Sequence, residues 1–501
     1  MKAFLMFRDR DFDPERALPP NAEDLVQDLE LQTLIDAMAR GDEFLASIAK
    51  TGLLCSLTAP ADIRYRQDAV RDSQANEQVV REMYDLAVEA ITRERKVFGW
   101  MSDRYPAAIL SHAIEVLELF AHMLRTLRQI AEEHAGDFRS EAFERFFRML
   151  LTELDDDYFH EIDVHLRRLR LRDGVLISAR LDAGGKGVGL VMRRPRTQKQ
   201  TFGEKLTSLT HPAPYFRIAD RDEAGANALS ELRGRGINLV ADALARSTDH
   251  ILSFFRMLRS ELAFYVGCLN VADTLASRGL PITLPTAHQT DDLTFACDGL
   301  YDASLALITE EPIVGNDIDA DGIPLVMITG ANRGGKSTFL RSVGLAQLML
   351  QCGMFAPATR FEASTRTCIF THFKREEDAT MSSGKLDEEL ARMSSIVDQI
   401  RPGGLILFNE SFASTNEREG SEIGRQVVHA MLASHIAVFF VTHQYDLAHG
   451  FQRERAAGTL FLRADRERTF KLVVGEPLPT SFGDDLYRRI FDEDAATVAA
   501  P

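Results

Sequence analysis

The chain has 501 residues, 45% hydrophobic and 27% charged, with a formal charge of -17. That composition suits a soluble globular protein of more than one domain. The acidity excludes a generally basic nucleic-acid binder, and no run of about 18 uncharged apolar residues offers a membrane span. Five scattered cysteines (Cys55, Cys268, Cys297, Cys352 and Cys368) form no Cys-x-x-Cys pair, which points away from a disulfide framework or zinc site and toward a reducing cytosol.

The start, "MKAFLMFRDRDFDPER", turns charged too early for a secretory segment. From about residue 22, Leu25, Leu29, Leu34, Ile35 and Met38 recur at three-to-four spacing, an amphipathic helical pattern. "SQANEQVVREMYDLAVEAITRERKVF" and "ILSHAIEVLELFAHMLRTLRQIAEEHA" continue it. Near Arg172 the character changes. Two β-branched runs flank Gly184, Gly185, Gly187 and Gly189, which predicts a hairpin. Helix returns from about residue 226. There Ile251, Phe255, Leu258, Leu262, Tyr265, Leu269 and Ala272 alternate steps of four and three, a coiled-coil-like seam that needs a partner helix.

After "RGLPITLP" apolar strands alternate with helices, the signature of a parallel sheet covered on its faces. The fold class is therefore multidomain α and α/β: a helical body over 1–280 with a small β-rich insertion near 172–220, then a P-loop domain over 281–501. "ITGANRGGKSTFLRSVG" matches G-x-x-x-x-G-K-[ST] and lies between an apolar strand and an amphipathic helix. Gly330, Ala331, Asn332, Arg333, Gly334, Gly335, Lys336, Ser337 and Thr338 form the candidate ATP loop. Lys336 would reach the β- and γ-phosphates, and Ser337 would be a magnesium ligand. The strand "GGLILF" should lie beside the loop strand and deliver Asn409 and Glu410 to the same crevice. Glu410 is the candidate general base for water, or else caps the next turn. Asn409 can accept from a magnesium-bound water but brings no charge. The third strand ends in "VTHQYD", placing His443 as a γ-phosphate sensor or a structural histidine.

Together these pieces resemble the MutS family of DNA mismatch-repair ATPases. "ITGANRGGKSTFLRSVGLAQLMLQCGMFAPA" is similar to that family's phosphate loop and following helix, "LILFNESFASTNEREGSEIGRQVV" to its second acidic motif, and "FFVTHQYDLA" to its Thr-His strand. "PIVGNDI", "TSFGDDLYRR" and "DIRYRQDAV" match farther out. The resemblance covers about residues 313–485 clearly and the helical half in weaker form. It implies ATP and magnesium as cofactors, long helices acting as core and levers, and an insertion acting as a reduced DNA clamp. It also implies a homodimer with composite ATP sites, completed by a C-terminal dimer-contact segment.

Several positions depart from that pattern. The second motif has Asn409 for its Asp, the phosphate loop has Arg333 where Met is common, and Ile313 stands where an aromatic commonly stacks on adenine. The serine donated across the dimer would be Ser382 or Ser383. The mismatch-reading domain with its Phe-x-Glu wedge and the connector domain have no counterpart. DNA would then be bound by shape and charge, with Lys186, Arg193, Arg194, Arg196 and Lys199 as contact candidates or as a solvated loop. Three readings follow: a slow, DNA-modulated ATPase switch in the cytoplasm (nucleoid-associated if it binds DNA), the same switch acting on a protein, or an ATP-binding scaffold without hydrolysis.

Overall fold

The structure, a computed structural model, describes residues 1–98, 106–170, 176–183, 187–193, 223–375, 384–454 and 458–478. By contact, the chain divides into two compact units: residues 1–3, 82–136 and 146–259, and residues 4–81, 137–145 and 260–501. Among the described residues, no helix is long and apolar enough to cross a membrane.

The first unit is helical. Leu110, Ala113 and Ile114 of helix Pro106–His134 pack with Leu166 of Asp156–Leu169 and with Ile237, Ala241 and Leu244 of the 55-residue helix Glu223–Ser277. The predicted hairpin is present as strands β1 (Ile177–Leu181) and β2 (Gly187–Met192), paired antiparallel. It sits tightly against the long helix. A Cβ on Gly236 would lie 2.5 Å from Ile177 Cδ1, so the missing side chain there admits the strand.

The second unit begins with an irregular segment whose Leu5, Met6 and Phe12 are buried. The predicted helical stretch over 21–54 is three helices, Ala22–Asp28, Leu31–Ala39 and Glu43–Leu54. Glu30 and Arg40 take left-handed φ angles of 49° and 46° at the two breaks, and all five periodic apolar residues are buried. The predicted seam is buried too, so its partners lie within this chain and it argues nothing about a dimer.

Two sheets complete this unit. Strands β3 (Thr286–His288), β4 (Phe295–Leu300), β5 (Asn316–Asp319) and β7 (Arg360–Ser364) form a four-stranded sheet in the order β3-β7-β4-β5, which the sequence reading did not anticipate. The larger sheet contains β6 (Leu325–Gly330), β8 (Ile369–Phe373), β9 (Leu405–Asn409), β10 (Ala437–Val441), β11 (Thr459–Ala464) and β12 (Leu472–Val474). Its order is β12-β11-β6-β10-β9-β8, parallel except for β12. β9 therefore does not lie beside β6 as expected, because β10 runs between them. All five β10 residues are buried, which suits a central strand covered on both faces. Phe408 and Phe440 stack across β9 and β10 with ring centroids 4.8 Å apart, and helices Glu417–Ala433 and Tyr445–Arg453 supply Val428, Met431, Leu447 and Phe451 to the same core.

Candidate functional site

β6 runs into the glycine loop at Gly330, whose φ is 105°. A Cβ there would lie 2.6 Å from the Ala464 carbonyl oxygen, so only glycine lets the loop leave the sheet at this point. Gly335, with φ of 87°, caps helix Lys336–Gln351 and aims its free amides at the loop. Lys336 is buried, and its Nζ donates to the carbonyls of Gly330 at 2.9 Å and Ala331 at 3.0 Å. Burial pushes the Lys336 pKa down, against the opposing pull of the Glu410 carboxylate. Ala331 and Gly334 are buried, Thr338 is half-buried, and Asn332, Arg333 and Ser337 are exposed.

Register brings the second element to the same edge despite the intervening strand. Asn409 pairs with Val441, and Val441 with Ile328, so β9, β10 and β6 end together. Ser337 Oγ donates to Asn409 Oδ1 at 2.9 Å. Glu410 N donates to the Val441 carbonyl at 2.9 Å, and His443 Nδ1 lies 3.6 Å from Glu410 Oε1. His443 beside it, with Lys336 and Lys374 farther off, holds the Glu410 carboxyl below the usual carboxylate range against the effect of burial. The next helix is capped by Asn416, whose side chain accepts from Glu419 N at 3.0 Å, so Glu410 does not cap that helix.

Strain gathers here. Of ten non-glycine residues with positive φ among the described residues, four stand at this crevice, Arg333, Glu410, Arg468 and Phe470, and a fifth, Phe412, is buried in the core two residues beyond Glu410. Behind the edge, His372 is buried and joined to Ser411 Oγ at 2.7 Å and to the Glu389 carbonyl at 3.0 Å. Burial pushes its pKa down to about 4, which makes it a neutral strut for the turn after Glu410.

A recess opens beside the loop, lined among others by Leu305, Pro312, Ile313, Val314, Phe339 and Phe470. Ile313 supplies one apolar wall. Phe470, 51% exposed, comes from the β11–β12 connection and approaches Gly335, where a Cβ would meet the Phe470 Cβ at 3.3 Å. Asn316 fixes that connection by donating Nδ2 to the Phe470 carbonyl at 3.3 Å and accepting from Leu472 N at 2.7 Å. Sequence reasoning passed over Phe470. The available signal was the exposed aromatic in "RTFKLVV", but its approach to the loop depends on tertiary pairing.

Magnesium favours oxygen donors, and the Ser337 hydroxyl and Asn409 amide oxygen are such donors, already joined at the loop mouth. The set fits an ion held mainly by substrate phosphates. Among the described residues there is no group of three His, Cys, Asp or Glu suited to hold a metal.

Some expected residues fall elsewhere. Ser382, Ser383 and residues 479–501 lie outside the described residues, as do Lys186, Arg194, Arg196 and Lys199. Arg193 is described at the end of β2, where it is exposed and its Nε donates to Ser178 Oγ at 2.8 Å.

Comparison with known proteins matches the two halves separately. Residues 58–278 fit the model of the MutS2 N-terminal domain, and residues 326–476 fit that of MutS domain V. The chain belongs to the MutS family. It is 30% identical over 299 residues to the DNA mismatch repair protein MutS of Chloroflexus aurantiacus, a match covering 58% of this chain and 29% of that protein. It is 29% identical over 176 residues to the putative endonuclease MutS2 of Bacillus subtilis, covering 34% and 22% respectively. With the MutS protein homolog 4 of Mus musculus it shares 28% over 204 residues, 38% of this chain and 21% of the homolog. Each match thus spans less than a third of the relative's length. The MutS domain V match contains the phosphate loop, Asn409, Glu410, His443 and Phe470.

Proposed function

We propose that this MutS-family protein is an ATP-dependent DNA-binding protein that uses ATP binding and slow hydrolysis as a conformational switch on DNA in repair or recombination. The observation that carries the reading is the meeting of Lys336, Ser337, Asn409, Glu410 and His443 at one edge of a parallel sheet. In this reading the loop amides and Lys336 hold the triphosphate, and Phe470 with Ile313 sandwiches the adenine. Glu410, ionised and steadied by His443, orients water for attack on the γ-phosphate. Ser337 and Asn409 would hold magnesium together with ATP, and the ion would supply charge neutralisation to the phosphates. Asn409 brings no carboxylate to that place, which favours slow turnover over motor work. We further propose a working division at residue 280 between lever and ATPase parts, and a homodimer whose composite ATP sites draw on Ser382 or Ser383 of the other copy.

Replacing Phe470 with alanine is expected to weaken ATP binding about three- to tenfold, the value of one aromatic stack. Affinity for inorganic triphosphate should stay within about twofold. Equal losses for both ligands would place Phe470 outside the base site.

The DNA part rests on the hairpin, with Arg193 and the basic residues that follow it. Fluorescence anisotropy with labelled duplex and branched DNA tests it. Raising salt from about 50 to 200 mM should weaken binding about ten- to a hundredfold, as for roughly two to four neutralised phosphates. Arg193→Ala should flatten that dependence. The net charge of -17 favours a second reading, a protein partner for the same switch, and absence of salt-sensitive DNA binding would support it.

A further inference from the structure

The mouth of the phosphate loop carries an uncommitted cation. Arg333 sits at the apex with φ of 59°, a conformation that disfavours a long side chain, and it is exposed. It makes no hydrogen bond or ion pair among the described residues. Other cations stand nearby: Arg468 Nε donates to the Asn332 carbonyl at 3.2 Å, and Lys374 follows β8 and helps keep Glu410 ionised. At the end of β9, by contrast, Ser337 meets a neutral amide, Asn409. Relative to a site with an acid at 409, this one has one negative charge fewer to order a divalent cation. Relative to a site with an uncharged residue at 333, it has one positive charge more to meet phosphate. A guanidinium presents a planar fork of donors that matches phosphate oxygens, and it stays charged at any working pH.

We propose that Arg333 neutralises the terminal phosphates of ATP directly, so that this site holds ATP with little dependence on magnesium. The inference rests on the reading of the loop as an ATP site. It assigns Arg333 a binding role matched to Asn409, and it separates nucleotide capture from the ion.

Isothermal titration of ATP into the full chain, once with magnesium and once with EDTA, tests the pairing. The unaltered protein is expected to lose less than tenfold in affinity, about, when magnesium is removed. Arg333→Met should bind within about threefold of the parent in magnesium. In EDTA it should bind about ten- to a hundredfold more weakly than the parent, the worth of one charge-assisted hydrogen bond. Arg333→Lys should recover part of that loss, and Asn409→Asp should raise the dependence on magnesium. Equal losses for Arg333→Met in both buffers, no loss in either, or a loss of tenfold or more for the parent in EDTA would overturn the proposal. Failure of the parent to bind ATP in either buffer would overturn the ATP-site reading itself, and this inference with it.

Discussion

Glu410→Gln is expected to lower the rate constant for ATP hydrolysis by about 10²–10⁴ while leaving ATP affinity within about threefold. The glutamine keeps the size and hydrogen-bonding shape of the side chain but removes the charge that draws a proton from water. The backbone should hold, because Glu410 N still donates to the Val441 carbonyl and the left-handed turn is unchanged. The pH profile carries the same signature. The Glu410 carboxyl is held below its usual range, first by His443 and then by Lys336 and Lys374. A depressed pKa keeps the base ionised at neutral pH and moves the acid limb of the rate profile below the ordinary carboxylate range. Removing the imidazole with His443→Gln relaxes that depression, so the limb should move upward in pH. A limb that stays put, or moves down, would mean His443 does not steady the base. Unchanged turnover in Glu410→Gln would take the base away from Glu410 altogether.

The largest structural effect is expected at Arg66, far from any chemistry. Its side chain is wholly buried, and burial pushes its pKa down. Nε and Nη2 donate to the Met6 carbonyl at 3.3 and 3.2 Å, and Nη1 to the Cys352 carbonyl at 2.9 Å. The guanidinium also lies over the Phe7 ring at 4.7 Å and the Phe264 ring at 5.4 Å. The turn at Gly353, with φ of 78°, leaves no room for a Cβ because the Arg66 stem fills that space at 2.7 Å. Arg66→Ala would leave two buried carbonyls without donors and a cavity along the stem. Together these cost about 3–5 kcal/mol. Thermal unfolding of the variant should fall by about 4–7 °C, and Arg66→Lys should recover little, since an ammonium cannot reproduce the fork. A shift below about 2 °C would mean that the irregular N-terminal segment is held by other contacts. One such holder is Glu261, whose carboxylate accepts from Leu5 N at 2.6 Å and Phe12 N at 3.1 Å.

What the sequence disclosed follows from how local each feature is. The strand, glycine loop and helix around Lys336 were legible because their signals lie within one short stretch. The seam from Ile251 to Ala272 and the five apolar residues over 25–38 were legible by period alone. Strand order was not. β10 between β6 and β9 is a matter of pairing across more than a hundred residues, and no local pattern encodes it. The four-stranded sheet was missed for a related reason: β3 is three residues long, and its neighbour β7 is 72 residues further on. Phe470 escaped notice because the β11–β12 connection meets the loop only in the folded chain, pinned there by Asn316 from a third strand.

The most direct test of the central claim is steady-state ATP hydrolysis by the purified chain with and without duplex, mismatched and branched DNA, at low and moderate salt. A DNA-linked ATP switch predicts slow turnover that at least one DNA changes by about threefold or more. That change should fade as salt rises and vanish in Glu410→Gln. Turnover that is the same with every DNA at every salt would contradict it.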